Sequence, residues 1–160
     1  MNRAQLRALK KRKGKHQGTQ RPYPVRPNLA EIQGVFNHIE IMFDQLRTGF
    51  VDSMRGKPIM SDGQGGLHEI APALLGWVEL WDRIATKFGF VLDTRPLTIL
   101  ANRLQYDTPL TMDLIEKSQA VIDRCRFMYA RLDVYEVRAM VNTQCIGYEM
   151  EELKKERMAA

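Results

Sequence analysis

The sequence of 160 residues carries 24 lysines and arginines against 19 aspartates and glutamates, a formal charge of +5, and 44% of it is hydrophobic. A chain of this size supports one hydrophobic core, and no apolar run approaches the roughly 20 residues of a membrane helix. The charge is segregated: residues 1 to 28 hold nine basic side chains and no acidic one, so the other 132 residues carry fifteen basic and nineteen acidic groups, or −4.

In the arm, Arg3, Arg7, Lys10 and Lys11 recur at helical spacing and line one face if residues 2 to 13 become helical. Like charges at that spacing in about a dozen residues predict no stable helix in isolation. Arg12, Lys13 and Lys15 complete the basic run, and Arg21-Pro-Tyr-Pro-Val-Arg-Pro27 reads as an extended polyproline spacer. Fully extended, the arm reaches ~90 Å. Arg3, Arg7, Lys10, Lys11, Arg12, Lys13 and Lys15 are the candidate nucleic-acid-binding residues, because each cation laid along a phosphate backbone releases a condensed counterion. Leu6 and Leu9 are too small an apolar face for a membrane-surface helix, so no membrane partner is expected.

The body, residues 29 to 160, begins at Asn28, whose spacing to Glu31 is that of a capping box. Ile32, Val35, Phe36, Ile39, Met42, Phe43, Leu46, Phe50 and Met54 step at three and four, predicting a helix over about 29–54. The Gly-rich stretch 55–66 reads as a loop, with no strand pattern competing. A second helix is expected from about Leu67 or Pro72 to Phe88, stopped at Gly89, with Trp77 and Trp81 on its core face. Asp93 or Thr94 caps a third, from Pro96 to about Gln105. After Thr108-Pro109 an apolar stripe from Leu114 to Leu153 continues without proline. One helix of ~70 Å would outrun the body, so a break is expected near Leu132 to Glu136, where Asp133 and Glu136 have capping-box spacing. The chain thus reads as an all-α protein: a four or five helix antiparallel bundle, 29–160, behind a flexible basic arm, 1–28. The residual stripe on the C-terminal helix is a candidate seam for a homo-oligomer.

Constellations that carry chemistry are sparse. His16, His38 and His68 lack metal-ligand spacing to one another or to a cysteine, so no metal is expected. Asp62-Gly-Gln-Gly-Gly66 lacks the Gly-Lys-Ser/Thr ending of a phosphate loop, and no cofactor is expected. Cys125 and Cys145 fall inside helical patterns, without a neighbouring base, and read as reduced thiols. With no apolar leader at the N-terminus, a cytoplasmic location is expected. Arg124, Arg131 and Arg138 recur every seven residues and share a face if their helix is unbroken; with Arg126 they form a possible continuation of the basic arm.

The opening Met1-Asn-Arg-Ala-Gln-Leu-Arg-Ala8 and the lysine run after it resemble the beginnings of small accessory proteins of tailed bacteriophages and prophages. The resemblance covers about eight residues, and Leu6 stands where a second arginine is usual. It implies a viral accessory or assembly protein in a bacterial host and transfers no fold or site. Together these readings lead to a non-enzymatic protein that touches nucleic acid through its arm without reading sequence. The alternative is an assembly or host-interaction protein whose helical body binds another protein.

Overall fold

A computed structural model describes residues 23–61 and 65–160. Among these the chain forms five helices and a small antiparallel sheet: α1 (Leu29–Thr48), β1 (Ser53–Met54), β2 (Lys57–Ser61), β3 (Leu67–Glu69), α2 (Ile70–Phe88), α3 (Arg95–Gln105), α4 (Met112–Tyr129) and α5 (Val134–Ala159). The protein is mostly helical, as the three-four periodicity predicts.

The capping box forms as read: Asn28 Oδ1 accepts from the Glu31 N–H at 2.9 Å and Glu31 Oε2 accepts from the Asn28 N–H at 3.0 Å. The expected end of this helix at residue 54 is wrong by six residues. Gly49 adopts a left-handed cap at φ 75°, and the Thr48 hydroxyl bonds back to the Asp44 and Gln45 carbonyls. Phe50, four residues after Leu46, continues the helical spacing only in sequence; it is 81% exposed.

The reading of 55–66 as a plain loop is also corrected. Met54 pairs with Lys57, and Ser61 with Leu67, to give the order β1-β2-β3. Between β1 and β2, Arg55 and Gly56 both take positive φ (54° and 76°), as a two-residue type I′ hairpin demands. Asparagine or aspartate usually marks the first of these positions, and arginine there conceals the turn. The sheet is held down by Ile59, which is buried, and by Lys57 Nζ, which donates to the Gln105 carbonyl at 3.0 Å.

From β3 the chain passes directly into α2, which ends at Gly89 in a left-handed cap. α3 starts at Arg95, with Thr94 before it; the Thr94 hydroxyl donates to Asp82 Oδ1 at 2.9 Å rather than capping the helix, and Asp93 accepts from the Arg95 N–H and guanidinium. The long C-terminal stripe breaks as expected. Asp133 Oδ1 accepts from the N–H groups of Tyr135 and Glu136, starting α5.

α2 packs on α3, α3 on α4, and α4 on α1, while α5 lies against α2. Phe36, Met42 and Phe43 of α1, Leu74, Trp81 and Ile84 of α2, Leu97 and Leu100 of α3, and Ile122 and Cys125 of α4 form the core. Phe36 joins α1 to α2 through Trp77 (ring centroids 5.3 Å apart) and Trp81 (6.2 Å). α5 is tied to α2 by Gln144 Nε2, which donates to the Gly76 carbonyl at 2.9 Å, and by the Tyr148 hydroxyl, which donates to Glu79 at 2.7 Å. Beyond Gln144, every residue of α5 is exposed, Ile146, Met150 and Leu153 included.

Trp81 is buried, whereas Trp77 is half-buried and its indole N–H lacks a hydrogen bond of ordinary geometry. Trp81→Ala is therefore expected to cost about 3–5 kcal/mol in urea unfolding. Trp77→Ala is expected to cost clearly less, since it removes less buried surface and relieves a buried polar group.

Candidate nucleic-acid interface

The candidate residues Arg3, Arg7, Lys10, Lys11, Arg12, Lys13 and Lys15 lie outside the described residues. The end of the arm is described, and it rests on the body. Asp133 presents its second carboxylate oxygen, Oδ2, to the Val25 N–H at 2.9 Å, and the Val25 carbonyl accepts from the Val134 N–H at 2.8 Å. Pro27 is buried and α1 follows at once, so the path of the chain into the body is fixed at the corner between α4 and α5.

Four arginines near that corner have different fates. Arg126 forms an ion pair with Glu40 of α1 and stands over the Phe36 ring at 5.3 Å. Gln119 reinforces the pair: its Nε2 donates to Glu40 Oε1 at 3.2 Å, and its Oε1 accepts from Arg47 at 2.7 Å. Arg138 pairs with Glu31 at 3.3 Å. Both are thus neutralised by α1, across helices rather than within their own. Arg124 and Arg131 have no carboxylate partner among the described residues; both flank Phe127 instead. The seven-residue spacing of Arg124, Arg131 and Arg138 does not place all three together, because the turn at Ala130–Asp133 intervenes.

Phe127 is the residue sequence reasoning passed over. Its position off the buried stripe was visible, but its place beside two uncompensated cations depends on where α1 places its glutamates. The link from Val25 to Asp133 spans 108 residues and has no signal in local patterning.

His38 is half-buried beside the core, and His68 is exposed on β3, immediately before Glu69, the N-cap residue of α2. The glycine segment lies between two antiparallel strands, β2 and β3, and residues 62–64 are outside the described set. No group of three or more metal-ligating side chains occurs among the described residues, and no described helix is long and apolar enough to cross a membrane. A groove of about 290 Å³ between α1, α2, α4 and α5 is lined mostly by apolar and aromatic side chains, among them Trp77, Trp81, Tyr129 and Val141, together with the Glu31–Arg138 pair and Asn142.

Cys125 is buried in the core, and burial pushes its thiol up to about 12, with the nearby Trp77 indole pulling slightly the other way. Cys145 is exposed. Comparison with known proteins finds no matching family, no matching curated sequence and no matching solved structure.

Alkylation of the native protein at pH 8 is expected to modify Cys145 alone, read as a single adduct by mass spectrometry, and both thiols after unfolding. Because the folded state holds the Cys125 proton more tightly than the unfolded state, its contribution to stability is complete below the ordinary thiol range. That contribution declines as pH rises toward 12. Cys125→Ala would remove this alkaline decline.

Proposed function

We propose that the protein is a non-enzymatic, nucleic-acid-associated protein whose basic arm contacts phosphates without reading sequence. The observation that carries this reading is the segregation of nine cations and no anion into residues 1 to 28 of a chain whose remainder is acidic. The anchorage of Val25 supports it, because its hydrogen bond to Asp133 ties the described end of the arm to a residue two positions from Arg131. Polyanion affinity of such a segment is electrostatic and relies on counterion release. The resemblance of the opening to phage accessory proteins agrees with a role beside a viral genome or its transcripts in a host cytoplasm. We further propose that the helices act as an antiparallel bundle that positions the arm.

A second reading is favoured by the end of α5, where Ile146, Met150 and Leu153 recur along one side of an exposed helix. In that reading the body binds a viral or host protein, or a second copy of itself, through this stripe, and the arm solubilises.

Titration with duplex DNA at increasing salt separates the two. With about six of the nine cations on phosphates, the logarithm of affinity is expected to fall against the logarithm of salt with a slope near −5. Neutralising Arg3, Arg7, Lys10 and Lys11 to Gln is expected to flatten the slope by up to ~3.6 and to weaken all sequences alike. Binding that ignores salt, or selects one sequence strongly, contradicts the arm reading. Loss of a captured protein on Leu153→Ser, with no nucleic-acid affinity at physiological salt, would establish the second.

A further inference from the structure

Arginine lies over an aromatic ring at several places in this protein, and what distinguishes them is charge compensation. Arg126 over Phe36 and Arg138 over Tyr135 are each committed to a glutamate of α1. Phe127 differs. The residue is 49% exposed, the Arg131 guanidinium carbon stands 3.5 Å from the ring centroid, and that of Arg124 stands 5.6 Å away. Neither guanidinium meets a carboxylate among the described residues. Arg131 is also held in place, because its Nη1 donates to the Phe127 carbonyl at 2.7 Å. The stacked pair is therefore preorganised, and the remaining N–H groups of Arg131 and all those of Arg124 are left for a ligand.

We propose that Phe127, with Arg124 and Arg131, is a stacking platform for unpaired bases of a single-stranded nucleic acid. An exposed ring piled with a guanidinium presents a flat, polarisable face on which any base stacks, and flanking arginines supply donors to the phosphates on either side. Base faces inside a duplex are already stacked, so a duplex meets only the cations. An acidic peptide would likewise use the arginines and gain little from the ring. Stacking reads the base and not the sugar, so ribose and deoxyribose strands are bound alike. Phe127 sits on the last turn of α4 and Arg131 in the turn that follows, where Asp133 holds Val25, the described end of the arm.

This inference rests on the arm reading and adds to it a preference for single strands. The test uses the full chain and fluorescence anisotropy with a labelled oligothymidine, an oligouridine of the same length, and a mixed-sequence duplex. Phe127→Ala and Phe127→Leu are expected to weaken both single strands by about 5- to 150-fold and to leave duplex affinity unchanged. Phe127→Tyr and Phe127→Trp, which keep a π face, are expected to retain single-strand binding. Circular dichroism and the melting temperature of Phe127→Leu set against Phe127→Tyr show that the loss follows the ring and not the fold. If Phe127→Leu binds single strands as the wild type does, or weakens single strands and duplex equally, the platform is overturned. In those cases a duplex affinity that still falls steeply with salt leaves the arm reading standing. If the wild type binds neither single strands nor duplex, both are overturned.

Discussion

The carboxylate of Asp133 accepts hydrogen bonds from three backbone N–H groups, and the course of the chain on either side of the core depends on it. One oxygen serves Tyr135 and Glu136 and so starts α5; the other serves Val25. Without an acceptor there, the first turn of α5 would leave donors unsatisfied, at a cost of about 0.5–2 kcal/mol for the cap alone. The same residue ends what would otherwise be a continuous apolar stripe. α5 then lies against α2, where the Gly76 carbonyl and Glu79 accept from its Gln144 and Tyr148, and Leu132, Val134 and Val137 are buried. A local cap thus sets both the tertiary course of the last helix and the point at which the basic segment meets the body.

Charge compensation at this corner is uneven, and the unevenness gives the surface its character. α1 carries Glu31 and Glu40 toward α5 and α4, and each takes one arginine. Glu31 has a second task in the capping box, which fixes its position before it meets Arg138. Arg124 and Arg131 meet no carboxylate among the described residues and lie against the Phe127 ring. These partly exposed ion pairs contribute little to stability one by one. Their consequence is to decide which cations stay available on an otherwise acidic body.

Helix existence was legible in the sequence because the apolar residues of α1 to α4 repeat at three and four and because Asn28, Gly89 and Asp133 mark ends with residues suited to caps; the Thr111 cap of α4 was not read. What misled was continuity. Phe50 and Met54 extend the period of α1 past Gly49, yet the glycine's left-handed backbone ends the helix and the chain turns into a hairpin. That hairpin was invisible because strands of two, five and three residues are too short to show alternation and Arg55 fills a position where asparagine would have announced the turn. The candidate interface was legible in its charges and not in its arrangement. Which arginines are spent depends on α1 crossing α4 and α5, contacts that join residues 86 and 107 apart in sequence. Periodicity within one helix carries no information about them.

Asp133 joins the basic segment to the start of α5. Native-state amide hydrogen exchange, resolved residue by residue, tests that link directly. The N–H groups of Val25, Tyr135 and Glu136 are expected to be protected in the wild type and to lose protection together in Asp133→Ala, while core amides of α2 and α4 keep theirs. A Val25 amide that exchanges freely in the wild type, beside a protected first turn of α5, would contradict it.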